Sequence, residues 1–216
     1  MEVVIPTHND YKHLTKTFEV LKTFEKINII HVIDNASEEQ IAQRLKELCE
    51  SNTQCVYHHC SELGKGRAIC EGIKKTKEDV LFLDADIENI SRAMILPLLQ
   101  KMEEGYDLVK ADFIRTNGQS DSSFIRRILK ERFPGLLVER PTAGIYGVKR
   151  QVLARVKIPN SWSVDLSILL QAHLNGFAII EVFIGDIKDK RRSLRSLEDS
   201  RACLVQELET LLGRKP

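Results

Sequence analysis

The sequence predicts an α/β protein, a mostly parallel sheet with helices on both faces, on three observations. In the first half, short apolar runs alternate with helical patterns about every 25 residues, the form taken by strand–helix units of a sheet covered on both sides. One such run, Val80–Leu83, passes directly into Asp84-Ala85-Asp86, as a buried strand does when the chain leaves the sheet. After these aspartates the regularity weakens, which divides the chain into an ordered half, 1–90, and a mixed half, 91–216, without a linker or repeat between them.

The elements follow in order. Met1–Pro6 reads as the first strand, and Asn9 or Asp10 is placed to cap a helix whose apolar positions, Leu14, Phe18, Leu21 and Phe24, recur every three or four residues. Ile27–Asp34 is the second strand. Ser37 with Gln40 has the capping-box spacing and opens a helix carried by Ile41, Leu45 and Leu48. Cys55–His59 is the third strand, the third helix begins near Lys65, and the fourth strand is Val80–Leu83. Beyond it, 91–104 reads as a helix despite Pro97, 107–114 as a strand, 122–133 as a helix and 142–150 as a strand whose glycines imply a close approach. A helix over 163–176 closes at Gly176, a strand covers 177–184, and a terminal helix carries Leu194, Leu197, Leu204, Leu208 and Leu211. That last helix is expected to cover the sheet or to serve a homodimer.

Composition narrows the function. The 216 residues suit one domain, 1–216, and 43% apolar with 29% charged residues is ordinary for a folded soluble chain. Lys plus Arg (32) nearly balances Asp plus Glu (31), so no broad basic field exists to attract nucleic acid. No run is long enough to span a membrane, and "MEVVIPTHND" lacks the basic and apolar regions of a signal peptide, so a cytoplasmic location is expected. The five cysteines, Cys49, Cys55, Cys60, Cys70 and Cys203, show no paired spacing and read as small core side chains. In "YHHC" neighbouring side chains alternate between sheet faces, and no second cluster completes a zinc site.

The chemistry gathers at the strand ends, where ligands of such sheets bind. Two carboxylates at Asp84 and Asp86 repel unless a cation lies between them. A hard divalent ion such as Mg²⁺ or Mn²⁺ takes few carboxylates and completes its shell with phosphate oxygens. The alternative is that both aspartates cap the following helix. The first strand ends in Pro6, Thr7 and Asn9, the second in Asp34, and Gly64-Lys65-Gly66 opens the third helix.

Taken together, strand-Pro, strand-Asp, Gly-Lys-Gly and Asp-x-Asp in this order resemble the nucleotide-sugar glycosyltransferases of the GT-A fold, glycosyltransferase family 2 in the broad sense. "YDLVKADFIR", "RFPGL", "PTAGIYGVKR" and "WSVDLSILL" look most like the glucosyl-3-phosphoglycerate synthase group. The resemblance implies a GT-A sheet with 1–90 as nucleotide half and 91–216 as acceptor side. It implies a metal-dependent transfer of a hexosyl group from a UDP- or GDP-sugar to a small, anionic hydroxyl acceptor such as a phosphoglycerate, with retained configuration. Pro6, Thr7 and Asn9 would line the nucleoside pocket, Asp34 would accept a hydrogen bond from the base, and Gly64, Lys65 and Gly66 would meet the nucleotide. Asp84 would contact the ribose or sugar and Asp86 would bind Mg²⁺ or Mn²⁺. Asp165 would stand near the transferred sugar, or serve as a first-turn helix aspartate, and more distant members use an aspartate near this position as general base. Ala143, Gly144 and Tyr146 would border the sugar or acceptor.

Three departures stand out. Ile145 replaces a glutamate of the relatives' Gly-Glu-Tyr. "DIKDKRRSL" lacks their metal-ligating histidine, for which Asp189 is the candidate substitute. "NGQSDSS" replaces their arginine-bearing acceptor turn, leaving Arg126, Arg127, Lys190, Arg191 and Arg192 to meet an anionic acceptor. Rival readings are a sugar-1-phosphate nucleotidylyltransferase, disfavoured because "PTHNDYK" has no glycine-rich arginine loop; a polyprenyl-phosphate sugar transferase, disfavoured by the missing anchor; and a nucleotide-sugar-binding or structural homologue without turnover.

Overall fold

The computed structural model describes residues 1–116, 122–190 and 194–213. Seven strands form one sheet in the order β3-β2-β1-β4-β6-β5-β7. β1 (Glu2–Thr7), β2 (Ile29–Asn35), β3 (Cys55–Cys60) and β4 (Val80–Phe82) are mutually parallel, β6 (Tyr146–Val148) runs antiparallel between β4 and β5 (Leu108–Arg115), and β7 (Ile179–Ile187) pairs parallel with β5. The chain runs outward from β1 to β3 and then returns to the other side of β1 at β4. That reversal opens a crevice above the ends of β1 and β4.

Helices cover both faces, as the unbroken apolar strands require. On one face α1 (Leu14–Leu21), α2 (Glu39–Glu50) and α4 (Arg92–Glu103) bury Leu14, Phe18, Leu45, Ile95 and Leu98 against Val3, Ile5, Ile30 and Val32. On the other, α3 (Lys65–Lys75), α5 (Ser122–Arg132), α6 (Arg150–Leu153), α7 (Val164–Leu174) and α8 (Leu194–Gly213) enclose Val4, Ile33, Phe82 and Tyr146. Pro97 lies inside α4, as anticipated. α7 carries buried residues all round, from Val164 to Ala172, because α8 covers its outer side. Leu204, Leu208 and Leu211 of α8 are buried in that contact, and the Glu207 carboxylate accepts hydrogen bonds from Ser163 and Ser167 of α7. The terminal helix therefore packs on a helix of its own chain rather than on the sheet; the side chains of Leu194 and Leu197 lie outside the described residues.

Several local expectations change. Neither Asn9 nor Asp10 caps α1, whose N-cap is His13, and Ser37 does not cap α2, which begins after Glu38. Their polar groups instead tie two turns together: Asn9 N–H donates to Ser37 Oγ and Asn9 Oδ1 accepts from Glu38 N–H, each at 2.8 Å. The strand expected over 142–150 shortens to Tyr146–Val148, because β4 offers only Val80–Phe82 to pair with, and Arg150–Leu153 turns into a short helix. The cysteines are all free, and burial pushes the thiols of Cys49 and Cys55 up to about 12. No helix among the described residues is long and apolar enough to cross a membrane.

Candidate active site

A cleft of ≈310 Å³ lies at the crevice, within the size range of small-molecule sites. Pro6, Thr7 and His8 enter it from the end of β1, Gly64 and Lys65 from the start of α3, and Asp84 and Asp86 from the end of β4. The two aspartates thus face a cleft, as the metal reading requires. Trp162 and Lys190 close the side that belongs to the second half of the chain.

Local chemistry fixes each position. Thr7 Oγ1 donates to the Asp10 carbonyl and holds the turn after β1. Asn35 occupies the end of β2: its side-chain amide donates to the Glu62 carbonyl at 2.7 Å, and its Oδ1 accepts the Gly64 N–H at 2.7 Å. Gly64 has φ of +142°, a conformation in which a side chain is strained, so the chain turns sharply into α3 here. Gly66 allows α3 to press on the 159–161 loop, since a Cβ would lie 2.1 Å from the Pro159 carbonyl oxygen.

Lys65 is the centre of the charge arrangement. Its Nζ lies 2.7 Å from Asp84 Oδ1 and 2.8 Å from Asp165 Oδ2, with side-chain exposures of 8%, 21% and 5% respectively. Burial alone would lower the lysine pKa, but Asp165 and Asp84 outweigh it and hold the ammonium charged well above the ordinary range. The Lys65 ammonium thus joins Asp84 to Asp165. Asp165 sits in the first turn of α7 behind Lys65, away from the cleft wall. Among the described residues its Oδ1 and the hydroxyl of Tyr146, both buried, have no well-formed hydrogen bond. Burial, then the Asp165 charge, raises the Tyr146 pKa well above ordinary.

The remaining expected residues separate into two groups. Gly144 abuts the site, because a Cβ there would lie 2.2 Å from Asp84 Oδ2; Ala143 and Tyr146 flank it as buried supports. Asp34 is fully buried (0%), off the cleft wall, and accepts from Tyr57 Oη at 2.7 Å, Ser37 N–H at 3.1 Å and His59 Nδ1 at 3.2 Å. Burial would raise its pKa, yet these hydrogen bonds prevail and keep it below the usual carboxylate range. Asn9 also stands off the cleft wall. Asp189 lies 2.9 Å from Arg115 Nε, and no group of three or more His, Cys, Asp and Glu among the described residues is placed to hold a metal. Arg126 pairs with Glu139, Arg127 is exposed, and Arg191 and Arg192 lie outside the described residues.

The cleft also contains residues the sequence did not single out. His8 donates from Nδ1 to the Asn35 carbonyl at 2.8 Å, and Asn35 itself borders the cleft. Trp162, 41% exposed, has the Lys65 ammonium 5.8 Å from its ring. The only sequence signal for Trp162 was the chain's single tryptophan just before the Asp165 helix.

Comparison with known proteins accords with this geometry. The family model described as glycosyl transferase family 2 matches residues 2–155. No curated protein matches the chain in sequence. Among solved structures, glucosyl-3-phosphoglycerate synthase from Mycobacterium tuberculosis in complex with Mn²⁺, uridine diphosphate and phosphoglyceric acid superposes with a TM-score of 0.86 at 21% identity, over 100% of this chain and 79% of that one. The same enzyme with Mg²⁺ and uridine diphosphate gives 0.85 at 20% identity, over 100% and 80%. A structure described only as a mycobacterial protein gives 0.85 at 20% identity, over 100% and 75%. The sheet order, the cleft at the β1–β4 reversal and the family match over most of the chain lead to one conclusion: the chain belongs to glycosyl transferase family 2 and has the GT-A fold.

Proposed function

We propose that this chain transfers a hexosyl group from a UDP- or GDP-sugar to a hydroxyl of a small anionic acceptor such as a phosphoglycerate, with retention of configuration. The observation that carries the reading is a cleft at the reversal point of a family 2 sheet with Asp86 and Asp84 on one wall. Pro6, Thr7 and His8 border the nucleoside end, with Asn35 beside them in place of the buried Asp34, and Lys190 offers a cation at the rim.

The metal fits in a limited way. Mg²⁺ and Mn²⁺ in such sites are held by one or two carboxylates plus substrate phosphates rather than by an all-protein cage, which agrees with a site that has Asp86 on its wall and no three-ligand cluster among the described residues. Asp86 would hold the ion, and Asp189 would join only by leaving Arg115. When bound, the ion supplies positive charge for the departing diphosphate. The chain's own residues do the rest: Lys65 bridges Asp84 and Asp165 and fixes their positions, and Gly144 allows the Asp84 carboxylate to stand at the sugar side. Asp165 orients that assembly from behind Lys65, off the cleft wall, where it is not placed to receive the acceptor proton.

A second reading, a nucleotide-sugar-binding homologue without turnover, draws support from the same Lys65, which already neutralises two of the three acidic groups. One experiment separates them. Nucleotide-sugar hydrolysis with Mg²⁺ or Mn²⁺ is measured beside thermal stabilisation by UDP and GDP, in wild type and Asp86→Ala. Metal-dependent hydrolysis lost in Asp86→Ala supports the enzyme; stabilisation without hydrolysis supports the binding protein; neither response defeats both. Asp189→Ala is the companion variant, and unchanged metal dependence there removes Asp189 from the ligand set.

A further inference from the structure

A buried ammonium and a half-buried carboxylate lie near the site and take no part in the reaction described. Lys110 of β5 is wholly buried (0% exposed) and faces Glu181 of β7 in the strand register. Its Nζ donates to the Ala143 carbonyl and lies 4.4 Å from the centre of the Tyr146 ring. Glu181 accepts two backbone N–H groups, from Glu139 and Arg140, at 2.7 Å each. The ammonium and the carboxylate therefore grip opposite ends of one segment, 139–144, whose turn is closed by Ala143 N–H donating to the Arg140 carbonyl at 3.0 Å. An apolar side chain in place of Lys110 would fill the space without the cost of burying charge. What the charges add is a fixed backbone, and the last residue of that backbone is Gly144, in contact with Asp84.

We propose that Lys110 and Glu181 are positioning residues: together they fix segment 139–144 so that Gly144 holds the Asp84 carboxylate against Lys65 and toward the transferred sugar. The sugar part of this inference rests on the function proposed above. The groups that face Lys110 come from five elements: Tyr146 of β6, Asp165 of α7, Lys65 of α3, Glu181 of β7 and Asp84 beyond β4. Burial dominates and Lys65 adds to it, against the three carboxylates, so the Lys110 pKa falls from 10.5 to about 8. The grip is thus charged below that value and loses its charge above it. Burial raises the Glu181 pKa, against the two amides.

The test compares wild type, Lys110→Met and Glu181→Gln as full chains. In ¹H–¹⁵N spectra of the free protein, the Gly144 amide is expected to titrate with a midpoint near 8 in wild type and not in Lys110→Met. In turnover, Lys110→Met is expected to keep its UDP affinity and to lose about 10- to 100-fold in kcat with a nucleotide sugar, the size expected for a misplaced reacting group. Wild-type kcat/KM is expected to decline above about pH 8, and Lys110→Met is expected to lack that decline. A Gly144 amide insensitive to pH in wild type, or a Lys110→Met enzyme with wild-type kcat, overturns the proposal. If wild type neither binds nor hydrolyses any nucleotide sugar, the function above fails while the amide titration still decides the grip. Should Lys110→Met not fold, Glu181→Gln and the wild-type titration carry the same decision.

Discussion

Replacing Lys65 with methionine removes the one ammonium that Asp84 and Asp165 share, and leaves the length of the side chain nearly intact. Removing one partner of a buried ion pair costs about 3–5 kcal/mol, because the remaining charge is left in a poorly solvated place. Lys65 and Asp165 are 8% and 5% exposed but Asp84 is 21% exposed, so water recovers part of that loss. An expected loss of about 3 kcal/mol is a large part of a total stability of roughly 5–15 kcal/mol. The pH dependence has a definite sign. The Lys65 pKa is raised in the folded state, so its contribution is complete below the unfolded value of 10.5 and is lost only as pH rises through the higher folded value. Across neutral and acidic pH the wild-type contribution is therefore constant. In the variant the two carboxylates lose the cation between them and repel each other, a penalty that acid relieves. Urea denaturation of both proteins between about pH 4.5 and 8 should show a deficit largest at neutral pH and smallest at the acid end. A deficit below about 1 kcal/mol, or one equal at every pH, would refute the claim that Lys65 neutralises Asp84 and Asp165.

Gly144→Ala would place a Cβ 2.2 Å from Asp84 Oδ2, and the carboxylate must swing away. Because only a side-chain end moves, the protein should fold and bind UDP normally while nucleotide-sugar turnover falls about 100-fold, read by steady-state kinetics. Gly66→Ala meets backbone instead, with Pro159 O at 2.1 Å and Ser161 N at 2.7 Å. It should cost about 1–3 kcal/mol in denaturant and weaken UDP binding as the cleft wall shifts. Asp34→Asn removes a carboxylate whose folded pKa is held below 3.8, a contribution present above that value and lost as pH falls through the lower folded value. The variant should be less stable by about 2 kcal/mol at neutral pH and match wild type increasingly toward acid, measured by thermal unfolding across pH.

Much of the fold was legible because buried parallel strands and amphipathic helices have different periods, and residues 1–103 keep those periods clean. The strand ends then placed Pro6, Gly64, Lys65, Asp84 and Asp86 in one cleft. What the sequence did not reveal is which polar group meets which. Lys65 beside two glycines reads as a cation for phosphate, and nothing local to it announces Asp165, 100 positions away, as its partner. Asp34 and Asn35 are adjacent on β2, and their side chains leave the sheet on opposite faces. Only the pleat decides that Asn35 borders the cleft while Asp34 joins Tyr57 and His59. Four residues are too few to show a period, and so α6 went unread, with its first residue, Arg150, taken as the end of a strand.

The reversed direction of β6 has one more consequence. Because β6 runs against β4, its leading residues rather than its trailing ones arrive at the cleft, and the contact between Gly144 and Asp84 stitches the late chain to the early chain across a single sheet. The two halves of the chain are consequently not exchangeable modules. A chimaera that took 1–90 from one relative and 91–216 from another would have to match at that stitch before it could work.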